Sequence, residues 1–336
     1  MVDSRRPMPD GDNERSYYAA MRVGLFNESD QFADFLWNQC DEPLGRHRGL
    51  ELSRWDRGAE AAFVFNWPAP REGLRKSFGW RRYLYKATRR PVAPMRCKHA
   101  YDWLGMPAEK IWTLLYEPPP IIPDWLMRLS VERSGHVYAP DPRAPRPIVL
   151  PSMWSIPMDV RTLGAMPPPP KPLGLVAVSS GKTLIAGHSE RLGFLEKLRG
   201  AGVDMDLFGR GLPGILASRG PVHDKSNVFL PARCALVVEN YVSGDQYVSE
   251  KLWDALACWC LPLYYGSGAI AQLIPEDSYV RIPDLGDNGV RLVADVMRDT
   301  DLWRRRLNAI SEARRRMLGE LRIVEWLARE IESARA

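Results

Sequence analysis

Three observations predict an α/β protein built in two halves. Short runs of β-branched and aromatic residues alternate with helical patterns, a proline-dense stretch interrupts them midway, and the alternation then restarts. A chain of 336 residues suits about two domains of ordinary size. Residues 1–18 are dominated by polar residues and prolines, without an apolar run, and read as a disordered N-terminus. The first unit, 19–150, opens with the strand MRVGLFN (21–27) and continues with AAFVFNWP (61–68), which a proline ends. KIWTLLYEPPP (110–120) is a third strand stopped by prolines, and GHVYAP (135–140) a shorter fourth. Helical patterns lie between them, around Asp30 to Gln39 and Asp124 to Glu132.

Residues 140–172 are dense in proline and culminate in MPPPPKP (166–172). That composition disfavours a helix or a central strand and predicts a stiff extended connector, placed at 151–172. The second unit, 173–310, restarts with the strand LGLVAVSS (173–180), the helix HSERLGFLEKLRGAG (188–202) with its glycine stop, and the strand VDMDLFG (203–209). CALVVEN (234–240), a helix opening at Ser249, LPLYYG (261–266) and SYVRIPDL (278–285) complete a second sheet. Residues from Val290 to Ala334 are largely helical with an apolar stripe of Trp303, Leu307, Ile310 and Met317, so that 311–336 read as a helical tail. Two such halves bind ligands in the cleft between them, at the carboxyl ends of parallel strands.

The formal net charge of +5 does not mark a nucleic-acid binder, and no nucleic-acid partner is expected. The charge is concentrated, however: residues 71–98 carry ten basic residues and one acid, Glu72. Such a block suits an anionic membrane surface or an acidic glycan, or else is a solvated loop. The five cysteines are dispersed, and Cys258 with Cys260 lacks the second pair a zinc site needs, so buried reduced thiols are expected. Neither a signal peptide nor a membrane span is legible, which predicts a cytoplasmic protein that at most rests on the inner face of a membrane.

Several motifs fail on inspection. SSGKT (179–183) lacks the first glycine of a phosphate loop, since Val176 stands there. GRGLPG (209–214) matches G-x-G-x-x-G, but Pro213 interrupts it and no convincing helix or ribose-binding acid follows; it reads as a glycine turn at the mouth of a strand. Hydrolase motifs are missing and the histidines are scattered. One placement stands out. Ser249 is a good N-cap, yet Lys251 follows in the first turn, at the positive end of the helix dipole. A bound phosphate would explain it, because the ammonium and the helix amides would then converge on one anion. Glu239, Asn240 and Glu250 would border the same cleft edge.

The stretch 236–285 contains Val238-Glu239-Asn240, Tyr247-Val248-Ser249-Glu250-Lys251, Pro262, Gly266 and Asp277-Ser278-Tyr279 in that order. It resembles the donor-binding core of the family 10 glycosyltransferases, the α-1,3/1,4-fucosyltransferases, of the bacterial type. VDMDLFGRG (203–211) and SERLGFLEKL (189–198) resemble the strand and helix that precede that core. The resemblance implies a GT-B fold: two Rossmann-like domains with the active site in the interdomain cleft. It implies a GDP-fucose or related GDP-sugar donor in the second half and a glycan acceptor against the first. Carried over by position, Arg191 and Lys251 would neutralise the diphosphate, Glu250 would hold the ribose, Tyr247 would contact the nucleotide, and Asn240 and Ser249 would lie beside them. Gly209, Arg210, Glu239 and Gly266 would border the same site. Glu117, after a strand of the first half, would be the general base for inverting transfer. No cofactor or metal is required, although a divalent ion could stimulate. The strand LPARCALVVEN lacks the lysine and aromatics usual before this signature, so the sugar is fucose or another GDP-deoxysugar. A non-catalytic nucleotide-sugar or anionic-glycan binding protein of the same fold is the alternative.

Overall fold

A computed structural model describes residues 20–27, 30–66, 101–102, 104–244 and 246–336. The polar N-terminus (1–18) and the basic block (71–98) therefore lie outside the described residues. The first sheet comprises β1 (Met21–Phe26), β2 (Arg46–His47), β3 (Leu50–Arg54), β4 (Ala61–Phe65), β5 (Ile111–Leu114), β6 (His136–Ala139) and β7 (Arg146–Pro147), in the order β2-β3-β1-β4-β5-β6-β7. All pairings are parallel except β2 with β3. The second sheet comprises β8 (Leu173–Ser180), β9 (Asp206–Arg210), β10 (Ala232–Val238), β11 (Leu261–Tyr265) and β12 (Val280–Arg281), ordered β12-β11-β10-β8-β9 and wholly parallel.

Parallel sheets are covered on both faces, and β4 shows why its five residues are apolar without a break. Ala61, Phe63 and Phe65 enter one core, whereas Ala62 and Val64 enter the other. The first core is closed by α1 (Asp30–Trp37), through Leu36. The second takes Leu129 from α2 (Asp124–Arg133). Beyond the connector come α3 (Val160–Ala165), α4 (Ala186–Gly200), α5 (Ser226–Phe229), α6 (Glu250–Ala257), α7 (Ile270–Leu273), α8 (Asp287–Arg298), α9 (Leu302–Arg305), α10 (Leu307–Leu318) and α11 (Ile323–Arg335). The helix α4 stops as its sequence suggests, with Gly202 at φ +72°.

Four elements differ from the sequence reading. The proline-dense stretch is not purely extended. Between Pro157 and Pro167 it holds α3, whose N-cap Asp159 accepts from the Thr162 amide at 2.7 Å, and its six residues contain no proline. Trp154, Ile156 and Leu163 are buried in the core of the second sheet, so the connector is packed rather than free. The strands β2 and β3 escape the apolar-run criterion because arginine and glutamate interrupt them. In SYVRIPDL only Val280 and Arg281 pair, since Pro283 follows.

The chain's last helix, α11, returns to the first sheet and buries Ile323, Val324, Leu327, Ala328 and Ile331 in the core of β1, β4 and β5. The returning strand of chain runs beside the connector. Ser152 donates its amide to the Leu321 carbonyl at 2.7 Å, and its own carbonyl accepts from the Ile323 amide at 3.0 Å. Two crossings laid side by side thus join the sheets. Cys40, Cys234, Cys258 and Cys260 are buried free thiols, as expected from their apolar surroundings. Among the described residues no helix is long and apolar enough to cross a membrane.

Candidate active site

The second sheet presents its carboxyl edge to a small cavity of about 30 Å³ that opens to solvent. Apolar side chains of β8 and β10 form its floor, and Ser179, Arg191, Lys225 and Lys251 supply its polar lining. Each cation arrives from a different element. Arg191 projects from the first turns of α4, Lys225 immediately precedes α5, and Lys251 lies in the first turn of α6.

The geometry at Lys251 answers why a lysine opens a well-capped helix. The Glu239 carboxylate, at the end of β10, is almost wholly buried and accepts from the Ser249 amide at 2.8 Å and the Ser249 hydroxyl at 2.7 Å. The Lys251 ammonium then donates to Ser249 Oγ at 2.8 Å and stands 3.4 Å from Glu239 and 3.8 Å from Glu250. Local carboxylates therefore offset the dipole penalty. Glu250 lies between two lysines, since Lys225 Nζ is 3.9 Å away. Burial pushes its carboxyl up, but Lys251, Lys225, its own amide and the Ser249 hydroxyl outweigh that and hold it at about 2.

Arg191 is buried and donates to the Asn240 side-chain oxygen and, at 2.9 Å, to the Ser180 carbonyl. It thereby joins the ends of β8 and β10 across the cavity. A close approach of backbones makes this possible: a Cβ on Gly187 of α4 would overlap the Asn240 carbonyl oxygen. Gly209 serves β9 similarly, at φ +150° with no room for a Cβ against the Ser179 carbonyl. Arg210, next in chain, is exposed, and its carbonyl accepts from the Gly181 amide at 2.9 Å. Gly266 abuts the Glu239 side chain, and its carbonyl is held by Arg281 at 2.7 Å. His188, behind Arg191, accepts the Leu184 amide at 3.1 Å and the Ile185 amide at 3.3 Å on Nδ1. Burial first, and then Arg191, Lys182 and Lys251, push its imidazole down to about 4, which keeps it neutral.

Glu117 approaches from the first sheet, in the turn after β5. Its loop is fixed at both ends. Asn66, left-handed at φ +56°, accepts the Tyr116 amide at 2.5 Å. Arg143 donates to the Pro119 carbonyl at 3.1 Å and the Ile122 carbonyl at 3.4 Å while it grips the buried Asp141 at 2.5 Å. Tyr116 and Tyr247 mark the meeting of the two halves. Burial, together with the charges of Glu239, Glu250 and Glu117, raises both phenols well above their ordinary value. Tyr247 does not line the cavity; it packs with Tyr116, Phe65 and Leu327 in the first sheet's core.

Arg191 with Asn240, and Lys251 with Ser249, Glu239 and Glu250, thus gather at the carboxyl ends of β8 and β10, with Gly209 against Ser179 and Gly266 against Glu239. Glu117 lies near Tyr116 and Tyr247 and is not among the residues lining the cavity. Sequence reasoning missed Lys225 and Asp254. Asp254 is fully buried one turn beyond Glu250, and it accepts from Lys225 Nζ, the Ser155 amide and the Ser155 hydroxyl, each at 2.6 Å. Lys225 sits in a stretch with no periodicity, so nothing local signals it. Among the described residues no group of three or more His, Cys, Asp or Glu side chains is placed to hold a metal ion.

Residues 176–304 match the family model for the glycosyltransferase family 10 (fucosyltransferase) C-terminal domain. No curated protein sequence matches the chain. Among solved structures, an alpha-glucosyltransferase in complex with UDP-glucose and DNA containing an abasic site is similar over 94% of this chain and 100% of its own, at 11% identity and a TM-score of 0.55. T4 phage BGT in complex with UDP and Mn2+ is similar over 94% of this chain and 99% of its own, at 11% identity and a TM-score of 0.51. An alpha1,3-fucosyltransferase is similar over 85% of this chain and 81% of its own, at 12% identity and a TM-score of 0.45. At such identities the first two speak to architecture, and that architecture is GT-B. Residues 176–304 thus match the C-terminal domain model of glycosyltransferase family 10 (fucosyltransferase), and the chain has the GT-B fold.

Proposed function

We propose that the protein transfers L-fucose, or a related deoxysugar, from a GDP-sugar to a hydroxyl of a glycan acceptor, with inversion at the anomeric carbon. One observation carries this reading: Arg191 and Lys251 reach one cavity at the carboxyl ends of β8 and β10, beside the first turn of α6 and inside the family-matched segment. A diphosphate placed there meets two cations and the helix amides. Glu250, kept ionised, accepts the ribose hydroxyls, and the acceptor lies toward the first sheet. Glu117 takes the proton from the acceptor hydroxyl as that oxygen bonds to the anomeric carbon. The bond from that carbon to the β-phosphate oxygen breaks, and its electron pair leaves with GDP. Arg191 and Lys251 stabilise the charge that develops there.

The test is a calorimetric panel of GDP, UDP and ADP, followed by assay of GDP release from GDP-fucose with candidate acceptor glycans. Preferential GDP binding with acceptor-dependent release is the expected result. GDP binding without release under any acceptor favours a non-catalytic nucleotide-sugar binder, and absence of GDP binding refutes both.

A further inference from the structure

We propose that Lys225 is a positioning residue of this donor site, holding the Glu250 carboxylate toward the cavity while Asp254 ties the next turn of α6 to the connector between the sheets. The proposal rests on the GDP-sugar reading given above. Glu250 and Asp254 are four residues apart on α6, so their side chains stack on one face. The Lys225 ammonium spans that step, 2.6 Å from Asp254 and 3.9 Å from Glu250. Asp254 uses its remaining acceptor capacity on Ser155, whose amide and hydroxyl both point at it from the connector. Three residues earlier, Ser152 pairs with the chain returning to α11. Through Asp254, one turn in, α6 is therefore fastened to the crossing between the two halves.

Two lysines beside one glutamate imply a division of labour. Without ligand, Lys251 is shared among Ser249, Glu239 and Glu250. An anion that draws Lys251 toward itself leaves Lys225 as the cation that stays with Glu250. Were Lys225 absent, Glu250 would face Glu239 and Asp254 with its only close counter-charge engaged by the diphosphate. Lys225 also borders the cavity, but its ammonium is committed to Asp254 and Glu250, so it acts on the ligand through Glu250.

Calorimetric titration with GDP from pH 7 to 4.5 tests this on the wild type, Lys225→Met, Lys225→Arg and Glu250→Gln. The groups facing Glu250 are Ser249 and Lys251 on its own turn, Lys225 from the preceding loop, Glu239 from β10, Asp254 one turn on, and Tyr116 and Tyr247 from the first-sheet side. Lys225→Met should weaken GDP binding about tenfold at pH 7, the loss of one charge-assisted contact. Its affinity relative to wild type should fall further toward pH 4.5, because Glu250 then begins to take up a proton. Lys225→Arg should restore both the affinity and the profile. In the Glu250→Gln background, Lys225→Met should have little further effect. If Lys225→Met does not fold, Lys225→Gln keeps a donor toward Asp254, and the same readings apply. Wild-type-like affinity with an unchanged relative profile, or additive losses in the double variant, would overturn the assignment. A wild type that binds no GDP would instead overturn the donor reading on which it rests.

Discussion

Replacing Lys251 by methionine removes one charge at the mouth of α6 while keeping the length and apolar stem of the side chain. The Lys251 side chain is one-fifth exposed, and its ammonium stands 2.8 Å from Ser249 Oγ and 3.4 and 3.8 Å from two carboxylates. Glu239 keeps both Ser249 donors in the variant, so the fold should survive with a melting temperature lower by a few degrees. Binding should suffer more. A hydrogen bond to a charged group contributes about 1.5–3 kcal/mol, and a midpoint near 2 kcal/mol corresponds to roughly a 30-fold weaker GDP complex. The true loss should lie on the high side, because Glu239 and Glu250 then face the diphosphate with one counter-charge fewer. Isothermal calorimetry on wild type and Lys251→Met measures it directly. Raising the salt from about 0.05 to 0.5 M should weaken the wild-type complex more than the variant's, since screening acts on a charge the variant lacks. A variant that binds GDP within threefold of wild type, with the same salt dependence, would mean that Lys251 serves only Glu239 and that no phosphate sits at this helix.

Glu117→Gln should leave GDP affinity within about twofold of wild type and lower the rate of acceptor-dependent GDP release by 10²–10⁴, the usual worth of a general base; turnover near wild type would assign the proton to another group. His188 should make the fold acid-sensitive. Its folded-state value of about 4 lies below the ordinary 6.5, so it contributes no penalty above pH 6.5. Stability should then fall as pH drops toward 4 and level off below, by up to about 3 kcal/mol. Urea titrations across that range should show a shallower slope for His188→Asn, and equal slopes would exclude His188 as the cause. Arg314 is buried over the Trp259 ring and donates to the carbonyls of Leu256, Ala257 and, at 2.7 Å, Leu163, capping the far end of α6. Arg314→Met strands those acceptors, which should lower stability by about 4 kcal/mol and the melting temperature by roughly 6 °C; a shift under 2 °C would refute that capping role.

The strands at the sheet centres were legible because burial on both faces makes them unbroken apolar runs. AAFVF feeds two cores at once, and no arrangement other than a covered parallel sheet needs that. The edge strands were not, because β2 and β3 carry the polar residues that an edge tolerates. Proline density misled at 160–165 for a related reason. Composition averages over a window, whereas a six-residue helix needs only an aspartate cap and a gap between prolines. The return of α11 was illegible as well. Its apolar stripe is as compatible with a helix on the second sheet as with one on the first, and only the pairing of Ser152 with residues 321 and 323 decides.

For the site, the sequence exposes residues that lie close together along the chain and hides those assembled from afar. Ser249, Glu250 and Lys251 are consecutive, and the oddity of a cation at a helix start is visible without coordinates. Asp254 is equally close, but an aspartate within an apolar helix reads only as an argument against a membrane span. Its meaning comes from Ser155, 99 residues away, and Lys225, 29 residues away. Those partners also show why the cavity is not simply cationic. Arg191, Lys225 and Lys251 stand against Glu239, Glu250 and Asp254, so the ligand-free site carries no net formal charge. Nucleotide binding must then exchange ion pairs rather than fill an electrostatic vacancy. An exchange of that kind depends on which carboxylate keeps which cation, and that places the fully buried Asp254 among the determinants of a site it does not line.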